Sequence, residues 1–123
     1  MRKIEQEMIA AINERRSWKK DNTEVIVNAS KYIDNYEVEI CVLLYDNIIA
    51  TIIPDSEITI SDCGWQTVTT KSRLNVLLSE YTKGGFCIFP RGIGRKKAWI
   101  LYSVDERNHL TIVENTPITI PIN

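Results

Sequence analysis

The amino-acid sequence predicts an α+β protein with a mainly antiparallel sheet. Three observations predict it: an amphipathic helix at the N-terminus, alternation of apolar residues from Thr23 onward, and a second helical segment in the middle. The order is helix, four strands, helix and two or three strands, which is typical of an α+β fold. With six or more strands, we expect the sheet to form a half-barrel or Greek key around the second helix.

The first helix is predicted over residues 3–19, because apolar and amphipathic residues follow steps of three and four. Its stripe consists of Ile4, Met8, Ala11, Ile12, Arg15 and Trp18. Such a stripe either packs on the sheet or pairs with the same helix of another subunit. We favour the second alternative, and the sequence therefore predicts a homo-oligomer.

The strands that follow are predicted from alternation with a period of two and from turn residues. Asp46-Asn47 is a strong signal for a two-residue hairpin, because both residues tolerate positive φ. The four strands predicted before the second helix are Thr23–Ala29, Val38–Tyr45, Ile48–Ile53 and Glu57–Ser61.

The second helix is predicted over Lys71–Thr82, with Thr69 or Thr70 as its cap and Gly84-Gly85 at its end. Two glycines and several cations predict a loop over Pro90–Lys97. The remaining strands are predicted at Phe86–Phe89, Ala98–Val104 and Leu110–Val113, with Thr116–Asn123 at a sheet edge because of its two prolines.

Length and composition indicate one globular domain. The chain has 123 residues, of which 44% are hydrophobic and 25% charged. We expect a single domain, 1–123, with the helix in residues 1–20 and the β-rich part in residues 23–123. No apolar stretch is long enough to span a bilayer, and no secretory signal is evident at the N-terminus.

Catalytic and metal-binding signals are weak. Cys41, Cys63 and Cys87 lack the spacing of a zinc site, and reduced thiols are the simpler interpretation. The only histidine, His109, has no paired nucleophile or acid in its sequence neighbourhood. Glu37 and Glu39 could bind Mg²⁺ as a carboxylate pair, but an exposed strand face is the commoner explanation. We therefore expect no catalytic residues, no metal and no cofactor.

The charge distribution is uneven although the net charge is only -1. Residues 1–20 carry six basic and three acidic side chains, and residues 71–97 carry seven basic side chains against Glu80 alone. The near-neutral total argues against a general polyanion binder. Two local basic segments favour a confined anion site, unless both are ordinary solvated surfaces.

Two segments have the residue types that bind phosphate. The predicted second helix starts with hydroxyls and cations, and a helix N-terminus exposes free N–H groups that attract anions. The segment from Arg91 to Lys97 combines glycines with forked cationic donors. The candidate anion ligands are Thr69, Thr70, Lys71, Arg73, Arg91 and Arg95.

Aromatic residues beside these cations could stack on a nucleobase. Trp18 lies close to Arg15 and Arg16, and Trp65 precedes the second helix. Trp18 could equally be a core residue that completes the first helical stripe.

The run Cys63–Asn75 (CGWQTVTTKSRLN), following an N-terminal helix and the stretch Trp18…Asn22-Thr23-x-Val25, resembles the type 1 Thoeris anti-defence family. The resemblance implies a small phage protein in the host cytoplasm. It also implies a non-enzymatic sponge that holds a cyclic ADP-ribose isomer made by bacterial immune TIR proteins. Members of that family assemble as dimers or hexamers, and some bind cyclic trinucleotides at a separate site.

Three functional hypotheses follow. The first is sequestration of a small cyclic nucleotide without cleavage. The second is a nucleic-acid-binding or nuclease-inhibiting phage protein, which the local character of the basic segments disfavours. The third is a metal-dependent phosphodiesterase, which the lack of a His/Asp cluster disfavours.

Overall fold

The computed structural model confirms the α+β fold class, with two helices and mainly antiparallel strands in the described residues. The strands form an open six-stranded sheet and a three-stranded sheet rather than the expected half-barrel or Greek key around the second helix, and a short strand follows the first helix where none was predicted. The structure describes residues 1–32, 35–93, 96–103 and 110–122. The elements in that part of the chain are α1 (Lys3–Asn13), β1 (Trp18–Lys20), β2 (Thr23–Tyr32), β3 (Asn35–Leu44), β4 (Asn47–Ile53), β5 (Glu57–Ile60), α2 (Val68–Tyr81), β6 (Phe86–Ile93), β7 (Lys96–Ser103), β8 (Leu110–Val113) and β9 (Ile118–Pro121).

The chain divides into two compact units. The first unit comprises Met1–Ile60 and Thr119–Asn123, and the second comprises Ser61–Ile118. The first contains a six-stranded sheet in the order β1-β2-β3-β4-β5-β9, and the second contains the three-stranded sheet β6-β7-β8. The C-terminal strand β9 lies at an edge of the larger sheet, as its prolines predict.

Helix α1 is shorter than the predicted helix over residues 3–19, because it ends in a Schellman motif. Arg15 adopts a left-handed conformation with φ of 52°. The N–H groups of Arg15 and Arg16 donate to the carbonyl oxygens of Ile12 and Ala11 over 3.1 and 2.9 Å. Trp18 consequently lies in β1, opposite Val25, rather than on the helix.

The apolar stripe of α1 is buried within its own unit. Met8 and Ala11 are fully buried, and α1 packs against β1 and β2. The stripe therefore needs no helix of another subunit to cover it, and this was the reason for expecting an intersubunit helix pair. Oligomerisation itself stays a prediction, and it needs another surface.

The β3–β4 hairpin turns one residue earlier than the sequence suggests. Its turn residues are Tyr45 and Asp46, with φ of 49° and 65°, and Leu44 pairs with Asn47. The register shifts between Val42 and Leu43, so that one additional residue is inserted in β4. This bulge moves the turn from Asp46-Asn47 to Tyr45-Asp46.

Helix α2 begins earlier than predicted, and its cap is Thr67 rather than Thr69 or Thr70. The Thr67 hydroxyl accepts a hydrogen bond from the Thr70 N–H over 3.1 Å. The buried side of the helix consists of Leu74, Leu77 and Leu78, together with Thr70 and Arg73.

The predicted loop over Pro90–Lys97 is largely strand. β6 continues to Ile93 and β7 starts at Lys96, with Arg91 opposite Ala98 and Gly92 opposite Lys97. Proline is tolerated here because β6 is an edge strand of its sheet. Gly94 and Arg95 lie outside the described residues.

Asn75 on α2 binds the free edge of β6. Its amide nitrogen donates to the Ile88 carbonyl over 2.9 Å, and its amide oxygen accepts from the Ile88 N–H over 2.7 Å. The side chain thus satisfies both backbone groups that an added strand would bind. This pair of bonds fixes α2 on the three-stranded sheet.

We predict that Asn75→Ala destabilises the protein by about 1–3 kcal/mol, because two partly buried hydrogen bonds to Ile88 are lost. Urea unfolding would measure the change in free energy. Ser79→Ala, on the exposed part of the same helix, is the matched control, since it gives a similar gain in helix propensity. Equal stability of the two variants would contradict a stabilising role for Asn75.

Candidate functional site

The sequence-predicted residues of the first unit lie at the end of α1 and in β1. Arg15 and Arg16 are exposed at the end of α1, and the Arg16 guanidinium pairs with the Glu14 carboxylate over 2.9 Å. Trp18 is half-buried in β1. Its position on a strand removes the helical spacing that suggested stacking with Arg15.

The N-terminus of α2 is partly closed to a ligand. Thr70 is only 2% exposed and Arg73 only 3% exposed, so neither side chain is available to a molecule in solution. The Thr70 hydroxyl also bonds to that of Thr67 over 3.0 Å. Of the residues predicted in this segment, Thr69 and Lys71 are half-buried and Trp65 is 63% exposed.

Arg91 is exposed on β6, directly opposite Ala98. Paired residues in antiparallel strands project on the same face of the sheet. Arg91 therefore projects on the same face as Ala98. The other predicted cation of this region, Arg95, lies outside the described residues.

A cleft of about 710 Å³ lies within the second unit and includes Ala98 in its wall. It is formed by the loop before α2, the start of β7 and the end of β8. The lining residues are Asp62, Gly64, Gln66, Lys97, Ala98, Ile112, Glu114 and Asn115. Its volume is in the range of small-molecule sites in proteins.

The Asp62 carboxylate organises one wall of this cleft. It is 1% exposed, and its Oδ1 accepts hydrogen bonds from the Gly64 N–H over 3.0 Å and the Asn115 N–H over 2.7 Å. Its Oδ2 accepts from the Gln66 amide nitrogen over 3.0 Å. That nitrogen also donates to the Val113 carbonyl over 2.8 Å. One buried carboxylate thereby joins the loop to the end of β8.

The backbone around Asp62 is held in unusual conformations. Cys63, Gly64 and Asn115 have φ of 54°, 79° and 47°. Left-handed backbone is costly for residues other than glycine and is often found at functional sites. The hydrogen bonds to Asp62 stabilise these conformations in two segments that lie far apart in the sequence.

Several side chains at the cleft retain hydrogen-bonding capacity. Within the described part of the chain, the Asn115 amide and the Lys97 ammonium make no side-chain hydrogen bond or ion pair. Glu114 is exposed and carries the opposite charge to Lys97. The exposed Trp65 indole stands in the chain between the lining residues Gly64 and Gln66. This set suits a polar, partly aromatic molecule with limited charge.

A second, smaller cleft lies in the first unit and has a different character. It measures about 270 Å³ and contains three carboxylates against one lysine. Its lining residues are Lys19, Asp21, Asn22, Glu24, Tyr45 and Asp46. Acids exceed bases by three to one here and by two to one in the lining of the larger cleft (Asp62 and Glu114 against Lys97), so an anionic ligand is less favoured at this position.

Metal and thiol chemistry find little support in the described residues. No group of three His, Cys, Asp or Glu side chains there could hold a metal ion. Of the proposed Mg²⁺ pair, the Glu37 side chain lies outside the described residues, whereas Glu39 accepts a hydrogen bond from the Cys41 thiol over 3.5 Å. Burial, together with that bond to Glu39, raises the pKa of Cys41, which opposes thiolate reactivity. His109 also lies outside the described residues.

Sequence reasoning assigned no role to Asp62, Gln66 or Asn115, and it included Lys97 only as part of the basic segment Arg91–Lys97. The local signal was Asp62-Cys63-Gly64, because aspartate followed two residues later by glycine often forms a turn with a side-chain bond to the backbone. The bond to Asn115 spans 53 residues and has no local signature.

The described elements define an α+β protein with a polar cleft in its second unit. Residues 1–112 match the family described as Kyanoviridae Gp96 protein, and the chain belongs to this family of phage proteins. No curated protein and no solved structure gives a significant match. No helix among the described residues is long and apolar enough to cross a membrane.

We predict that Asp62→Asn lowers the free energy of unfolding by about 1.5–3 kcal/mol, because a carboxylate that accepts three N–H bonds becomes a neutral amide. Chemical denaturation would measure this change. Amide hydrogen exchange at Asn115 should also accelerate, since its N–H loses its charged acceptor.

Glu114→Gln is the matched control for Asp62→Asn. It removes the same charge from the same cleft, but the Glu114 side chain is exposed. Its effect should stay within about 0.5 kcal/mol. An equal effect of both substitutions would show that Asp62 does not hold the cleft together.

Proposed function

We propose that this phage protein binds a cyclic nucleotide immune signal and sequesters it without cleaving it. The cleft of the second unit is the proposed site, and the host cytoplasm is the proposed compartment. A cyclic ADP-ribose isomer is the first ligand to test, given the sequence resemblance to the type 1 Thoeris anti-defence family. The single observation that carries the proposal is a cleft whose wall is held by Asp62 and whose lining includes the Asn115 amide and the Lys97 ammonium, with the exposed Trp65 between two lining residues in the chain.

The size and shape of the cleft support a nucleotide-sized ligand. Its volume of about 710 Å³ accommodates a molecule of that class, and small-molecule sites commonly measure about 300–1,000 Å³. The Asp62 hydrogen bonds fix the wall before binding, so little ordering entropy is lost when a ligand enters. Tight binding, which sequestration requires, depends on such preorganisation.

The side chains supply complementary contacts for each part of a nucleotide. The Trp65 indole offers a stacking surface for the base, and such stacking contributes about 1–3 kcal/mol. The Asn115 amide has both a donor and an acceptor for the edge of a base. Lys97 supplies positive charge for phosphate oxygens at the cleft, whereas Arg91 projects with Ala98 on the opposite sheet face from Lys97.

The same residues offer no obvious route to cleavage. Asp62 accepts three hydrogen bonds from N–H groups and is buried, which leaves it poorly placed as a general base. Phosphodiester cleavage generally needs a positioned base or a bound metal. These considerations favour storage of an intact ligand over turnover.

We predict that Lys97→Ala weakens nucleotide binding about 10- to 100-fold, because a charge-assisted contact to phosphate is lost. Trp65→Ala should weaken it about 5- to 150-fold through the loss of base stacking. Calorimetric titration with a cyclic ADP-ribose isomer would measure both effects. Lys83→Ala is the control, because Lys83 is an exposed lysine of the same unit that does not line the cleft.

We also predict complete recovery of unmodified ligand. The protein would be incubated with the cyclic nucleotide and Mg²⁺, denatured by heat, and the supernatant separated by chromatography. Stoichiometric release of intact ligand supports sequestration, whereas conversion to a new product identifies a phosphodiesterase. Failure to bind any cyclic nucleotide, combined with salt-dependent binding of DNA or RNA, would replace the proposal with nucleic-acid recognition.

A further inference from the structure

The β2–β3 hairpin extends beyond both of its neighbouring strands. β2 and β3 pair with each other from Thr23↔Leu44 to Tyr32↔Asn35. In contrast, β1 covers β2 only from Thr23 to Val25. On the other side, β4 covers β3 only from Ile40 to Leu44. The outer part of the hairpin is therefore a two-stranded ribbon in the described part of the chain.

The outer edge of β2 presents backbone groups suited to another strand. The Val27 N–H donates to the Ser17 hydroxyl over 3.2 Å, so the backbone of Val27 faces the side on which β1 lies. Backbone groups alternate along an antiparallel strand. The N–H and C=O of Ala29 and Lys31 consequently face the same side, beyond the last residue that β1 pairs.

We propose that this edge of β2 pairs with the same edge of a second copy of the chain, in antiparallel orientation around Ala29. Around this two-fold axis the Ala29 N–H and C=O groups of the two copies bond to each other, and the Lys31 N–H of each copy donates to the Val27 C=O of the other, while the Val27 N–H keeps its bond to Ser17. A two-stranded ribbon alone is marginally stable in water, and an additional strand on each ribbon stabilises it.

The charge pattern favours the β2 edge over the β3 edge for self-pairing. The segment Val27–Ser30 contains no charged residue, so it lacks the charged side chains that commonly prevent edge pairing. Symmetry around Ala29 places Lys31 opposite Val27 of the partner subunit, which avoids contact between like charges. Self-pairing of the β3 edge around Val38 would instead put position 37 opposite position 39 of the second copy, and both positions are glutamate in the sequence, which disfavours pairing at that edge.

The first test is a proline scan of the two ribbon edges, read by sedimentation velocity at micromolar concentrations. Ala29→Pro removes an outward N–H from β2 and should weaken dimerisation about tenfold or more. Val38→Pro is the matched control. Val38 pairs with Ala29 in the ladder, and its backbone faces away from β2 toward the β4 side. Circular dichroism would verify that both variants fold.

The second test introduces charged residues at position 29. It therefore does not depend on whether β2 tolerates a proline. Ala29→Lys and Ala29→Glu each place like charges across the two-fold axis, so each variant alone should be monomeric at low salt. An equimolar mixture of the two should restore the dimer. A monomeric wild-type protein would overturn the proposal, as would a dimer that Ala29→Pro and both charged variants leave intact.

Discussion

The hydrogen bonds of the Asp62 carboxylate are the constraint on which the second unit's cleft depends. A buried carboxylate is unfavourable unless its oxygens are satisfied, and here three N–H groups satisfy them. Those donors come from the loop before α2 and from the residue two positions after β8. Because one side chain joins both segments, the walls of the cleft are held before any ligand arrives. The proposed function depends on this preorganisation of the walls, because sequestration needs high affinity rather than a conformational cycle.

The edge of β6 and the edge of β2 differ in whether a side chain binds their outward backbone groups. This difference bears on the proposed dimer. On β6, the Asn75 amide occupies the N–H and C=O of Ile88, so that strand cannot accept another at this residue. On β2, the Ser17 hydroxyl binds only the Val27 N–H, and the pairing with β1 has already ended. One edge is therefore blocked by a side chain, whereas the other remains open over the following residues.

The sequence predicted the fold class and most strands because those features depend on local periodicity. It failed where a single residue overrides the pattern. Arg15 ends α1 in a left-handed conformation that is more typical of glycine, and an additional residue in β4 moves the hairpin turn by one position. The glycines and cations between Pro90 and Lys97 suggested a loop, but pairing with β7 extends the strand. The candidate site was predicted less well, because burial of Arg73 and the bond between Asp62 and Asn115 arise from tertiary packing.

Two of the three donors to the Asp62 carboxylate are backbone N–H groups. This affects which positions of the cleft can be substituted. Gly64 and Asn115 contribute their backbone N–H groups, which every amino acid except proline possesses. The third donor is the Gln66 side-chain amide, so these bonds require particular side chains at Asp62 and Gln66 and suitable backbone conformations elsewhere. The side chains at Lys97, Ile112 and Glu114 lie outside these hydrogen bonds. Substitutions at those positions can change the chemistry of the lining while the frame is retained. The hydrogen bonds that hold the cleft in shape are therefore separate from the side chains at these three positions.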